Sequence, residues 1–423
     1  MKNKNTINQL QSYTKLLSQI SRAISNNTGI GEKNNIKLLE KLQTFSLTQN
    51  LLFLLSAVAK IGVINLPSHF NPSLTEIFFN GESVDYDFLA TNSVYIVDLS
   101  RRKLLFRNLI NIKNIISLKK PNTNYDIFHC THLSPIVVPG IPRVTTVHDI
   151  IPLLRPELVN NELFLVFSKL VELNLRESTK IIAVSETTKK DLVNYCGVPE
   201  DRISVVYEAA SSQFLPISED QALPILRLLG LIDSSGKRTP YFIFVGNIEP
   251  KKNIKRLLTA FKEFALKDQV GYKLVIVGSK AWGYEPVKNM ISEMIESKIL
   301  IHPGYLPSSY LPALLSHARA FIFPSLIEGF GLPVLEAMAC GCPVISSKIQ
   351  AISEVAGDAA LLVNPQSVEE LCQAITETAS NDQLCLSLKE KGLKRNQLFS
   401  WKKCATQTLD VYAEAYNSYF NCK

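Results

Sequence analysis

Residues 325–344 read SLIEGFGLPVLEAMACGCPV and decide the fold of this chain. They follow an apolar run at Ala320–Phe323 and overlap the start of another at 343–346, and such short runs beside turn residues are typical of buried strands. Between the runs, Gly329 and Gly331 permit a tight turn, and a proline follows where helices favour one. The stretch therefore predicts a strand, a glycine-bearing loop, a helix and a second strand.

The loop and the helix form a candidate anion site. Within residues 330–334, where Pro333 has no N–H group, the backbone amides lack helical acceptors, and the positive end of the helix dipole favours phosphate there. Glu328 precedes the turn and Glu336 lies in the first part of the helix, so their carboxylates can flank a bound group with several hydroxyls. The alternative is that Glu336 only complements the helix dipole while Glu328 is solvated.

Strands and helices alternate regularly through the second half of the chain. Strands are predicted at residues 241–245, 273–277, 298–301 and 320–323, and helices at residues 254–266, 287–297 and 309–317. This alternation predicts a parallel sheet with helices on both faces. After the first of these strands, Lys251 and Lys252 precede a helix, where a compact positive charge can meet a diphosphate, although two solvated lysines are the alternative.

The first half is regular only from about residue 125. Residues 125–149 contain two β-rich runs that end in polar residues, including His148, and ligands meet such strand ends in parallel sheets. A strand is predicted at residues 180–185, and Ser185 is placed to cap the helix that follows. Residues 203–207 are the last predicted strand of this half.

The motif E-G-F-G-L-P-x-L-E-A-M-A-x-G-x-P-V-I at residues 328–345 resembles the donor site of the retaining glycosyltransferases of family 4. The chain is most similar to the mannosyltransferase-like branch that extends O-antigen and other surface polysaccharides. In that family the first glutamate faces the transferred sugar, the second holds the ribose hydroxyls, and the loop amides hold the phosphates. The resemblance assigns donor binding to Asn247, Lys252, Tyr305, Glu328, Gly329, Phe330, Gly331, Leu332 and Glu336.

Two further segments extend the resemblance. His148 and Asp149, followed by IIPLL, resemble the family's H-D-L-I-P segment, whose histidine lies near the transferred sugar, and E-P-K-K-N resembles its E-P-R-K-N, whose second cation contacts the donor phosphates. His148, Glu328 and Lys252 are therefore the expected catalytic residues. Tyr305 lies in a G-Y-L segment similar to one that packs against the nucleotide base, and it is either a base contact or a core residue.

The chain departs from the family pattern at two places. T-G-I-G-E resembles the family's T-G-I-G-R loop and makes Gly29 and Gly31 a candidate acceptor or phosphate loop, but the usual preceding strand is lacking and Glu32 replaces the arginine. A glycine turn without a ligand is the alternative. Near the end of the first half, Glu208 and Ala209 stand where family members have Asn-Gly.

The resemblance implies an α/β protein with the GT-B fold, in which two Rossmann-like domains face each other across a cleft and a C-terminal helix crosses back to the first domain. The expected domains are residues 1–215 on the acceptor side, of which the first 30 or so are atypical, a linker at 216–239, a nucleotide-sugar-binding domain at 240–400, and the crossing helix at 401–423.

Composition and charge limit the classes of partner and the cellular locations that the chain can have. The net charge is +7, with the excess of basic residues early in the chain, which suggests an anionic partner, but nucleic-acid-binding motifs are lacking. The segment 99–120 is basic, and its apolar residues have helical spacing, so it predicts either peripheral contact with an anionic membrane or a helix that covers the first sheet. Scattered cysteines and the lack of a signal-peptide pattern predict a cytoplasmic protein, or one peripheral on the inner face of the cell membrane.

The expected reaction is transfer of a hexose, mannose from GDP-mannose, to a hydroxyl of a lipid-linked glycan with retention at the anomeric carbon. No cofactor and no metal ion are expected beyond the nucleotide-sugar substrate. A D-x-D triplet at residues 85–87 is discounted as a metal site, because it belongs to a different glycosyltransferase fold. The alternatives are a non-catalytic subunit that binds sugar nucleotides and a nucleotide-sugar epimerase of the same fold.

Overall fold

The computed structural model describes residues 116–117, 126–159 and 161–421. Of these, residues 127–137 and 142–421 belong to one compact unit, within which the fold and the site lie. Gly29, Gly31, the D-x-D triplet and most of segment 99–120 fall outside the described residues. Within that segment, Ile116–Ser117 form a strand, so the prediction of a helix over the whole of 99–120 is wrong at these two residues.

The first sheet contains four parallel strands in the order β2-β4-β5-β6. Its strands are β2 (Phe128–Cys130), β4 (Arg143–Val147), β5 (Lys180–Ala183) and β6 (Ile203–Val205), and the short β1 (Ile116–Ser117) and β3 (Ile136–Val137) lie outside it. Its helices are α1 (Ile151–Leu154), α2 (Asn161–Glu177) and α3 (Glu186–Cys196). The Ser185 hydroxyl accepts a hydrogen bond from the Thr188 amide, which confirms the predicted cap of α3.

The second sheet contains six parallel strands in the order β12-β11-β10-β7-β8-β9. They are β7 (Tyr241–Val245), β8 (Lys273–Val277), β9 (Leu300–Gly304), β10 (Ala320–Phe323), β11 (Val344–Ser347) and β12 (Leu361–Val363). The helices of this half are α5 (Ile254–Ala265), α6 (Glu285–Glu296), α7 (Leu311–His317), α8 (Leu332–Ala339), α9 (Gln350–Ala356), α10 (Val368–Ser380) and α11 (Asp382–Asn396). The central strands are almost entirely apolar because helices cover both faces of the sheet.

Most predicted elements of this half are confirmed, and three strands have the predicted bounds. The predicted strand 298–301 instead begins at Leu300, because Lys298 adopts a left-handed conformation with φ 59° that turns the chain after α6. The two sheets with their helices give two Rossmann-like domains, as predicted.

The segment 216–239, predicted as a polar linker, contains helix α4 (Glu219–Leu228). Ala222, Ile225 and Leu226 are buried, and the helix packs against α7. Proline disfavours the interior of a helix, but Pro224 is accommodated inside this one. The segment is therefore partly a packed element of the second half.

The last helix, α12 (Trp401–Asn421), returns to the first sheet and packs against β4 and β5. The Tyr412 hydroxyl lies 2.6 Å from His129 Nδ1 in β2, and Glu414 pairs with Lys180 of β5 at 2.9 Å. The predicted crossing of the C-terminal helix is confirmed.

Candidate functional site

The expected donor residues lie where the order of the second sheet reverses. Strands β7 and β10 are neighbours, with β8 and β9 on one side and β11 and β12 on the other. Ligands of open α/β sheets bind at the carboxyl ends of the strands at such a point. The loop after β7 carries Asn247 and Lys252, and the loop after β10 carries Glu328 and the glycine turn.

An ion pair joins these two loops. Lys252 Nζ lies 2.5 Å from Glu328 Oε1, and the two side chains are only 11% and 10% exposed. The ammonium group also lies 4.6 Å from the ring centroid of Phe323, and the Leu326 amide donates to the Lys251 carbonyl at 2.8 Å. Two of the three expected catalytic side chains are therefore in contact, and they concentrate charge at the strand ends.

Glycines let the loop after β10 approach its neighbours closely. A Cβ atom on Gly329 would lie 2.0 Å from the His148 carbonyl oxygen, and one on Gly331, where φ is +109°, would lie 2.5 Å from Ile352. The Ser185 hydroxyl donates to the Gly329 carbonyl at 2.6 Å. The glycine loop therefore lies directly against the backbone of His148, the third expected catalytic residue.

The amides of this loop are available to a ligand over a shorter range than predicted. Among the described residues, the N–H groups of Phe330, Gly331 and Leu332 have no hydrogen-bond acceptor, whereas the Val334 amide donates to the Gly331 carbonyl at 2.9 Å. The Phe330 side chain is buried against Tyr207 and contributes only its backbone. Three amides at the start of α8 can thus hold an anion.

Glu336 lies one turn into α8 and is partly buried. Burial raises the pKa of its carboxyl group to about 7. Among the described residues it forms neither an ion pair nor a side-chain hydrogen bond. Such a carboxylate is suited to accept hydrogen bonds from ligand hydroxyls, because it lacks protein donors.

We expect Glu336→Gln to stabilise the ligand-free protein at pH 8. The folded pKa of about 7 exceeds the usual value of 4.5, so the carboxyl group destabilises the fold increasingly as pH rises from about 4.5 past 7. The gain should be on the order of 1–3 kcal/mol at pH 8 and should shrink toward pH 5. Urea unfolding at both values measures it.

The exposed Glu296 provides the control for this prediction, since Glu296→Gln removes a carboxylate from the surface of α6 and should change the free energy of unfolding very little. An equal free energy of unfolding for Glu336→Gln and the parent protein at pH 8 would contradict the predicted cost of the buried charge.

Both ring nitrogens of His148 have protein partners. Nε2 lies 3.0 Å from the Thr131 carbonyl oxygen, and Nδ1 lies 3.1 Å from Glu208 Oε1. The ring also lies against that of His132, with centroids 4.5 Å apart and the ring planes tilted by 32°. Sequence reasoning missed Glu208, and the only signal for it was the departure from the family's Asn-Gly at that position.

Asn247 and Tyr305 follow the carboxyl ends of β7 and β9, and both are exposed. Tyr305 is 74% exposed, so the alternative that it is a core residue is wrong. Among the described residues, neither side chain forms a hydrogen bond or an ion pair with Lys252, Glu328 or Glu336.

A cavity of about 250 Å³ borders Glu328 on the side of α1 and α3. Its polar lining includes Arg155, Thr187, Asp191 and Gln350. Burial and the charge of Asp149 raise the pKa of Asp191 to about 6. No sequence motif joins these residues, so the sequence alone does not identify them.

His129 has a structural role. Its Nε2 lies 2.8 Å from the Thr146 hydroxyl, and its Nδ1 lies near Tyr412 of α12. Burial, with a smaller contribution from the charge of His148, lowers the pKa of His129 to about 3. His129 is therefore neutral and joins α12 to the first sheet.

Comparison with known families agrees with this geometry. Residues 77–211 match the model described as Glycosyltransferase Family 4, and residues 233–395 match Glycosyl transferases group 1. The O-antigen chain mannosyltransferase B of Escherichia coli is 32% identical over 64% of this chain and 69% of its own length. The E. coli serotype-specific mannosyltransferase WbdA is 28% identical over 65% of this chain, and the match spans about a third (34%) of that relative.

Solved structures share the fold at low sequence identity. Sucrose-phosphate synthase from Thermosynechococcus elongatus superposes with a TM-score of 0.58 and 20% identity, covering 75% of this chain and 80% of that one. Anabaena HepE, in complex with UDP and glucose, superposes with a TM-score of 0.58 and 18% identity, covering 68% and 78%. The two-domain architecture is thus that of the GT-B glycosyltransferases.

The chain belongs to glycosyltransferase family 4. It is an enzyme that transfers a sugar, which confirms the predicted hexosyltransferase class. Within the part of the chain that the structure describes, no helix has the length and apolar character needed to cross a membrane.

Proposed function

We propose that this enzyme transfers mannose from GDP-mannose to a hydroxyl of a growing, lipid-linked glycan with retention at the anomeric carbon. The observation that carries the proposal is the largely buried Lys252–Glu328 pair beside three available amides at the switch point of the second sheet. Two of the relatives are named as O-antigen chain mannosyltransferases. These names support mannose as the sugar and a glycan as the acceptor.

The proposed roles follow from charge and position. Lys252 and the amides of residues 330–332 stabilise the negative charge that develops on the departing diphosphate. Glu328 orients hydroxyls of the transferred sugar, and Glu336 accepts hydrogen bonds from the ribose. We assign His148 to the reacting centre, because its backbone lies against Gly329 of the donor loop.

The reaction as proposed needs neither a metal ion nor another cofactor. The acceptor oxygen forms a bond to the anomeric carbon as the bond to the diphosphate oxygen breaks, and the departing diphosphate takes the acceptor's proton. Glu328 is not assigned the part of a covalent nucleophile, because its carboxylate is paired with Lys252. The proposal also includes a domain division with the bounds 1–215, 216–239, 240–400 and 401–423. It further includes an acceptor loop at Gly29 and Gly31, a cytoplasmic location and peripheral membrane contact through residues 99–120.

Thermal unfolding with GDP-, UDP-, ADP- and dTDP-sugars, each with and without EDTA, tests the donor. We expect GDP-mannose to raise the melting temperature selectively, since a ligand at about 100 times its Kd stabilises the fold by roughly 2.7 kcal/mol. The shift should persist in EDTA and in Glu296→Gln, and it should be lost in Glu336→Gln.

The same panel separates the alternatives. A selective shift of the melting temperature with a UDP-sugar would show that the donor carries uracil rather than guanine. The absence of a shift with every nucleotide sugar would contradict the assignment of the donor site. Incubation with the donor alone distinguishes an epimerase, which would interconvert the sugar nucleotide, from a transferase, which would only hydrolyse it slowly.

A further inference from the structure

We propose that Glu208 is a positioning residue that keeps the imidazole of His148 doubly protonated, so that His148 is a fixed cation beside the donor loop rather than a base. The contacts of the ring imply this protonation state by themselves. The effect on sugar transfer rests on the proposed function.

The contacts of the ring require two N–H groups. The Thr131 carbonyl at 3.0 Å can only accept a hydrogen bond, so Nε2 carries a proton. The Glu208 carboxylate at 3.1 Å is likewise an acceptor, so Nδ1 carries a proton as well. A neutral imidazole has one N–H group and would leave one nitrogen lone pair facing an oxygen lone pair.

The backbone of His148 is held as well as its ring. Its carbonyl oxygen accepts a hydrogen bond from the Thr188 hydroxyl at 3.3 Å and lies against Gly329. Because the ring nitrogens are also held, rotation of the ring would break two contacts. The His148 carbonyl therefore stays against the glycine loop that is expected to hold the donor, and the ring stays on Thr131 and Glu208.

The charged and titratable neighbours favour the same state. Burial acts to lower the pKa of His148, but the hydrogen bond and charge of Glu208, together with the Thr131 carbonyl and Asp149, raise it above its usual value. His132 lies against the ring, and the neutral His129 lies nearby. Glu208 is the neighbour whose removal leaves Nδ1 without its charged partner.

A doubly protonated His148 has no free lone pair and cannot accept the proton of the acceptor hydroxyl. In the proposed reaction that proton passes to the departing diphosphate, and the imidazolium adds positive charge close to it. Activity should then depend on His148 remaining protonated, and it should fall as pH rises through the pKa of this ring.

The direct test is an NMR titration of the full chain labelled with ¹³C at histidine Cε1, with His148 assigned by His148→Gln. We expect Glu208→Gln to lower the pKa of His148 by about one unit or more, because removing an adjacent opposite charge has this effect. Glu414→Gln, which removes a carboxylate paired with Lys180 in the same half, should leave the titration unchanged. An unchanged His148 titration in Glu208→Gln would overturn the proposal.

Kinetics provide the second readout. In Glu208→Gln the alkaline limb of kcat/KM should move to lower pH by the shift measured in the titration, while transfer near pH 5.5 should recover toward the parent rate. A purely structural role for Glu208 would lower kcat/KM by the same factor at every pH and would overturn the proposal. A shifted titration without transfer from any donor would instead count against the proposed function alone.

Discussion

Replacing Lys252 by methionine should destabilise the protein by about 3–5 kcal/mol, because it leaves the Glu328 carboxylate buried without its partner. Methionine keeps much of the volume of the lysine side chain, so the loss reflects the charge rather than a cavity. Transfer should fall at least about 100-fold, since a positioned charge on the departing group is worth about that much. Urea unfolding and initial rates measure the two effects.

The double variant Lys252→Met/Glu328→Gln separates stability from activity. With both charges removed, the free energy of unfolding should return close to the parent value, because the desolvation of a buried pair offsets much of its attraction. Transfer should remain lost, since both charges are assigned to the donor. Recovery of transfer in the double variant would contradict the assigned roles.

The pair Lys262–Glu293 offers a matched control for this experiment. Lys262 Nζ lies 3.4 Å from Glu293 Oε2, and the two side chains are 50% and 63% exposed. Lys262→Met should therefore cost at most about 1 kcal/mol and leave transfer intact. If Lys252→Met lowers the free energy of unfolding no more than Lys262→Met does, the Lys252–Glu328 pair does not stabilise the link between the two loops.

Replacing Gly329 by alanine should impair both stability and transfer. The added Cβ would lie 2.0 Å from the His148 carbonyl oxygen and 2.8 Å from Asp149 Cβ, and neither atom can swing away as a flexible side chain would. We expect a loss of about 1–3 kcal/mol or more from overpacking. Separation of the donor loop from His148 should reduce transfer about 100-fold, as misplacement by about 1 Å can do.

Gly271→Ala is the control for backbone effects. Gly271 has φ +86° and nothing within 4 Å of an added Cβ, so alanine there introduces conformational strain without a clash. That variant should lose some stability and keep its transfer rate. A Gly329→Ala protein with an unaltered transfer rate would show that close approach of this loop to His148 is unimportant.

Local signals in the sequence predicted most of the second sheet and the donor loop. Strands such as Tyr241–Val245 are continuous apolar runs, as expected for strands of a parallel sheet that is buried on both faces. Such runs are therefore easy to recognise as strands. The glycine turn and its two glutamates lie within a few residues of each other, so a motif could identify them. Ser185 could likewise be recognised as a cap, because capping depends on neighbouring residues.

The features that were missed depend on partners distant in the chain. The role of Glu208 depends on its contact with His148. The two residues are 60 positions apart in the chain, and the parallel order of β4, β5 and β6 brings them together. Helix α4 contains a proline that favours a loop, and its burial against α7 overrides that preference. The cavity residues Arg155 and Asp191 likewise come together only in the folded chain.

The return of α12 to the first sheet affects the order in which the chain can fold on the ribosome. Strands β4 and β5 are synthesised early, but the helix that packs against them is made after all six strands of the second sheet. Within the described structure, the surface that α12 covers, which includes His129, lacks this helix while more than half of the described residues emerge. Until translation reaches α12, the nascent first domain lacks this contact, and the apolar surface that α12 covers can bind chaperones.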